Sequence, residues 1–157
     1  MRACSVCNIP HEINRQLRDY AMACDTHDWP RLAALFERGK FHFATEAGPE
    51  AVLRWGREVV RPDARTQHVI STVHVDVDDE AGIASGTCYL TLFHHSDEDI
   101  QVVSACYFEN EWVLQDGQWW WRTHRVVPFF RGDSTRIHTR QQFPGAAAGA
   151  VTGAQVS

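Results

Sequence analysis

The sequence predicts an α+β fold in which helices from the first half pack on an antiparallel sheet built by the second half. Three observations carry that prediction. Apolar residues recur at helical spacing up to about residue 60 and at strand spacing after it. The strands are separated by short turn signals, so consecutive strands pair antiparallel. The long strands carry bulk on both faces, as in a sheet covered twice.

The elements follow in order. Ile13, Leu17, Tyr20, Ala21 and Cys24 lie on one face of a first helix. Asp28 caps a second, with Pro30 in its first turn, Leu32, Leu35 and Phe36 as its inner stripe and Gly39 as its stop. Phe41 to Thr45 reads as a short strand. Gly48-Pro49 opens a third helix carrying Val52, Leu53, Trp55 and Val59 to about Val60, and Pro62 ends it. Thr66 to Val77 then alternates, with Val69, Val73, Val75 and Val77 on one face and His68, Ile70, Thr72, His74 and Asp76 on the other.

A turn at 78–82 leads into a strand from Ile83 to Phe93, and a turn at 96–99 into a long strand from Ile100 to Leu114. Asp116-Gly117 is a hairpin signal before the last strand, Trp119 to Val127. In the long strand Val102, Cys106, Phe108, Trp112 and Leu114 share one face; Val103, Ala105, Tyr107 and Val113 share the other. Trp119 and Trp121 oppose Trp120. The helices cover one sheet face. A second subunit is the expected cover for the other, which makes the chain a homodimer or a higher homo-oligomer.

Length and charge bound the partners. The chain has 157 residues, which suits one domain. Residues 11–140 form the expected domain, after a loose N-terminus at 1–10 and before an uncharged, disordered tail at 141–157. Fifteen basic against 20 acidic residues, net −5, argue against nucleic acid. No run approaches the roughly 20 apolar residues of a membrane span, and the first residues lack a signal-peptide layout. The expectation is a cytoplasmic protein that binds neither nucleic acid nor membrane. Of the five cysteines, Cys4 and Cys7 form a CxxC with no second close pair. His74 and Asp76 share a strand face, but no third ligand joins them. His94-His95, beside Asp97-Glu98-Asp99, reads as solvated charge. Neither metal nor cofactor is expected.

Three segments carry a resemblance. YAMACDTHDWPRL at Tyr20–Leu32 resembles the opening helices of the SnoaL-like branch of the nuclear-transport-factor-2-like superfamily. RTQHVI at Arg65–Ile70 resembles the start of its first long strand. YFENEWVLQDGQW at Tyr107–Trp119, followed by HRV at His124–Val126, resembles its closing hairpin. The resemblance implies a cone-shaped α+β barrel with a strongly curved sheet, and frequent dimerisation. It also implies kinship with cofactor-free lyases of the scytalone dehydratase and bile-acid 7α-dehydratase type, which place an Asp–His pair in the cone.

Asp25 and His68 match that pair, and Tyr20 matches the tyrosine of the bile-acid enzyme. The tyrosine that directly precedes the Asp in scytalone dehydratase is replaced by Cys24. Tyr20 also stands where the related dehydrochlorinase has a lysine, which argues against halide elimination by that route.

The residue chemistry suits the pair. Histidine abstracts protons near neutral pH, a carboxylate fixes its tautomer and stabilises the imidazolium, and a tyrosine hydroxyl polarises a substrate oxygen. The expected catalytic set is therefore His68, Asp25 and Tyr20. Trp55, Tyr107, and either His124 or Arg125 are the expected substrate contacts, with Phe41, Tyr89 and Trp119–Trp121 as further aromatic lining. The expected activity is dehydration of a hydrophobic ring compound such as a polyketide, steroid or aromatic intermediate. The alternatives are a SnoaL-like cyclase or isomerase, or a non-catalytic subunit like the β subunit of ring-hydroxylating dioxygenases.

Overall fold

Helix α1 spans His11–Asp25 and turns Ile13, Gln16, Leu17, Tyr20, Ala23 and Cys24 into the interior. Ala23, rather than Ala21, completes the stripe. The computed structural model describes residues 10–41, 48–135 and 137–139. The Cys4–Cys7 motif, the short strand beyond Phe41, the Phe41 side chain and the tail at 141–157 lie outside the described residues.

The chain leaves α1 through a tight turn. His27 adopts a left-handed backbone (φ 56°), and the Asp28 N–H returns to the Ala23 carbonyl at 2.9 Å. Asp28 then caps α2 (Trp29–Ala34), accepting from the Arg31 N–H at 3.1 Å. After the two-residue strand β1 (Lys40–Phe41) comes α3 (Pro49–Glu58), which buries Ala51, Val52 and Gly56. Gly56 is required there, because a Cβ would meet the Trp29 ring at 2.4 Å.

Four long strands follow: β2 (Thr66–Asp78), β3 (Ile83–His95), β4 (Ile100–Gln115) and β5 (Gln118–Arg131). The sheet order is β1-β5-β4-β3-β2, antiparallel except for the parallel β1–β5 pair. Asp116 and Gly117 both have positive φ (53° and 76°), as a two-residue primed hairpin turn demands. Helix α1 packs on the inner sheet face, around a core that includes Phe36, Phe108, Trp112 and Trp121.

Simple alternation fails at the bulges. In β2 the register slips between Ser71 and His74, and Thr72 sits at φ 51°. One extra residue reverses the side-chain phase. Val69 is therefore exposed, and His68 and Ile70 share the inner face with Val73, Val75 and Val77, against the sequence expectation. In β4 the extra residue is Val103, between Leu92↔Ser104 and Phe93↔Val102. Val102 turns out to solvent, and Val103 is buried against Ala64 and Ile137. Leu114, expected on the inner stripe, is exposed at the strand end. In β5 the extra residue is Arg122, between Glu111↔Thr123 and Trp112↔Trp121.

The Thr72 bulge yields a testable cost. A β-branched residue with a left-handed backbone is strained by about 1–2 kcal/mol. Thr72→Gly is expected to raise stability by about 1 kcal/mol, or about 2–4 °C in melting temperature. Thermal denaturation checks it, and a lower midpoint would contradict the strain.

Candidate active site

Asp25 is the last residue of α1, where a carboxylate opposes the helix dipole. The position is unfavourable by itself and is offset by donors from the start of β2. Asp25 Oδ1 lies 2.6 Å from His68 Nδ1 and 3.1 Å from the Thr66 hydroxyl. The His68 backbone N–H reaches both carboxylate oxygens, at 3.1 and 3.0 Å.

This geometry assigns the ring. An ionised carboxylate only accepts, so His68 Nδ1 carries the proton and a neutral ring keeps its lone pair on Nε2. The pair is partly accessible, with the His68 side chain 11% and the Asp25 side chain 19% exposed. Thr66 escaped the sequence reading. Its only signal is the two-residue spacing that puts it on the same strand face as His68.

Tyr20 packs edge-on beside His68, with ring centroids 6.2 Å apart. It is fully enclosed by Phe108, Trp121 and His124. Burial first, and the neighbouring Cys24 thiol second, push the Tyr20 hydroxyl well above its ordinary range, so it stays protonated and able to donate. The thiols are equally inert. Burial pushes Cys24 far above the ordinary thiol range, Cys88 to about 12 and Cys106 to about 11.

The two candidates on β5 separate cleanly. His124 is fully buried against Tyr20, Phe36, Phe108 and Trp121. Arg125 lies on the outer face and pairs with Glu109 at 2.5 Å. Tyr107 also belongs to the outer face, opposite exposed Tyr89. Trp55 stands edge-on to Trp29 at 5.5 Å and to His138 at 6.1 Å, in a cluster between α2, α3 and the end of the described chain.

His124 is joined by a residue that sequence did not single out. Asn110 is 3% exposed and contacts His124 Nδ1, the Trp121 indole and Cys88. His94 corrects another expectation: it is buried, not solvated. His74 and Asp76 are exposed and meet only at 3.2 Å. Among the described residues no three His, Cys, Asp or Glu side chains converge as a metal site. A groove of about 490 Å³ crosses the outer face between His74, Asp76, Glu109, Glu111 and Arg125, away from the Asp25–His68 pair.

Comparison with known proteins settles the kinship. The SnoaL-like domain model matches residues 8–126. The chain belongs to the SnoaL-like domain family. Solved structures similar to this SnoaL-like protein share its fold. An NTF2-like protein with a cystatin-like fold from Novosphingobium aromaticivorans is 14% identical over 83% of this chain and 88% of its own, at TM-score 0.68. A candidate scytalone dehydratase from the same organism is 22% identical, covering 87% of this chain and 93% of its own, at TM-score 0.63.

A protein from Catenulispora acidiphila, solved in complex with S-DNPA, is 18% identical over 74% and 90% of the two chains, at TM-score 0.62. No curated protein matches the sequence significantly. The SnoaL-like fold here is the cone-shaped α+β arrangement, with helices on a curled sheet. No helix among the described residues is long and apolar enough to cross a membrane.

Proposed function

We propose that this SnoaL-like protein is a cofactor-independent dehydratase acting on a hydrophobic, hydroxylated ring compound. The observation that carries the reading is the 2.6 Å contact between Asp25 and His68 Nδ1. His68 Nε2 takes a proton from the carbon beside a carbonyl. Tyr20 donates a hydrogen bond to the oxygen on which charge develops. The carbon–carbon double bond forms as the β carbon–oxygen bond breaks, and His68 returns its proton to the departing oxygen, which leaves as water. Asp25 holds the tautomer and stabilises the imidazolium between the two transfers. The candidate scytalone dehydratase among the similar structures supports this reaction class, and the complex with S-DNPA supports a small-molecule ligand.

The test is a panel of hydroxylated ring ketones assayed for loss of water. A product isomeric with its substrate would move the reading to cyclisation or isomerisation by the same base. Stable co-purification with a large iron–sulfur chain, without turnover, would replace it with the non-catalytic subunit.

The proposal extends to a homodimer through the outer sheet face. Val69, Tyr89, Val102 and Phe130 are 38–49% exposed there, and apolar side chains grouped on one face are the usual mark of an interaction surface. Sedimentation at micromolar concentration is expected to give a dimer, and Phe130→Glu a monomer. A monomeric wild-type chain would refute this.

A further inference from the structure

A cluster of buried polar groups next to Tyr20 is linked through Asn110. Asn110, His124, Trp121 and Cys88 are each no more than 3% exposed. The Trp121 indole nitrogen can only donate, and it lies 3.2 Å from Asn110 Oδ1. The atom it meets must therefore be the amide oxygen, not the amide nitrogen. The other end of the amide agrees, because Asn110 Nδ2 points at the Cys88 sulfur at 4.0 Å. That thiol is protonated, since burial lifts it to about 12, and its sulfur is a weak acceptor. The same Asn110 oxygen lies 2.7 Å from His124 Nδ1. Two acceptors cannot share that distance, so His124 Nδ1 carries a proton.

We infer that Asn110 is a positioning residue for His124. Oriented by the Trp121 indole, it holds the ring as the Nδ1–H tautomer and makes Nε2 a hydrogen-bond acceptor within the interior. The two imidazoles beside Tyr20 then differ in kind. His68 rests on a carboxylate that supports a positive charge, and His124 on a neutral amide that does not. Full burial also opposes a charged ring. His124 is accordingly an acceptor for a hydroxyl donor, not a cation for an anionic group. None of the described arginines is buried, so none of them supplies that charge instead. The group the ring would meet is the hydroxyl of an uncharged ring substrate. This last step rests on the reading of the interior as the substrate site; the tautomer does not.

Multiple-bond ¹H–¹⁵N NMR on the full chain, labelled with ¹⁵N-histidine, reads the tautomer without any substrate. The His124→Gln spectrum assigns the ring. The expected wild-type pattern at neutral pH is a protonated Nδ1 and an unprotonated Nε2. Asn110→Leu is expected to mix the two tautomers. Trp121→Phe keeps a ring in the core but removes the donor that orients the amide, and is expected to do the same if Asn110→Leu does not fold.

A wild-type His124 protonated at Nε2, as the other tautomer or as imidazolium, overturns the inference. So does a tautomer unchanged in the variants. If the tautomer is found and His68→Ala still turns substrate over, the dehydratase reading falls alone.

Discussion

Replacing His68 with alanine is expected to lower turnover by about 10²–10⁴-fold, the usual contribution of a positioned general base. The fold should survive, because the side chain is partly exposed and its removal leaves only part of the Asp25 shell open. Asp25→Asn tests the same pair from the other side. An amide has no charge to stabilise the imidazolium, and its NH₂ end can turn the ring to the wrong tautomer, so a loss in the same range is expected.

Asp25→Ala adds a structural cost. It strands the Thr66 hydroxyl and the His68 N–H, at about 1–3 kcal/mol for unmet buried donors. Steady-state kinetics with a substrate identified from the ketone panel, together with thermal melts, separates the two effects. Wild-type turnover in His68→Ala would reject the base. A collapse of stability in Asp25→Asn equal to that of Asp25→Ala would reduce the pair to a structural clamp.

The order of elements was legible because it rests on local chemistry. Asp28 as a cap, Pro49 at the start of α3 and Asp116-Gly117 as a hairpin turn act within a few residues, and their outcomes match the sequence expectation. The faces of the strands were less legible, because a bulge adds one residue with no distinctive signature and inverts everything beyond it. Counting by twos from Trp121 carries Thr123 and Arg125 inward, yet the bulge at Arg122 sends His124 in and Arg125 out. Thr72 does the same for β2, placing His68 with the valines it was expected to oppose.

Asn110 was hidden for a different reason. A polar residue in a strand is usually a surface residue, and only its three buried neighbours make it an interior one. Gln16 is similar: it receives the Trp112 indole hydrogen at 3.1 Å across the α1–sheet boundary, a pairing 96 residues apart in sequence.

The three consecutive tryptophans of β5 give the second large effect. Trp121→Ala is expected to cost about 3–5 kcal/mol, the range for deleting a fully buried large aromatic. Trp121 is 0% exposed and stacks between Phe36 at 5.1 Å and Trp112 at 5.7 Å, each at an interplanar angle of 22°. It also meets Tyr20 and His124 edge-on, and its indole nitrogen satisfies Asn110. At about 2–4 °C per kcal/mol for a chain of this size, the melting temperature should fall by about 6–20 °C.

Trp120→Ala is the internal control. Its ring lies on the other sheet face beneath the exposed Arg38 guanidinium at 4.4 Å, a contact worth about 0.5–1 kcal/mol. The neighbouring substitutions therefore differ several-fold, although residue type, strand and local sequence are the same. Chemical denaturation of both variants measures the difference directly. Equal losses would mean that the alternation across β5 does not hold in solution, and with it the burial of His124 one turn of the pleat beyond the bulge.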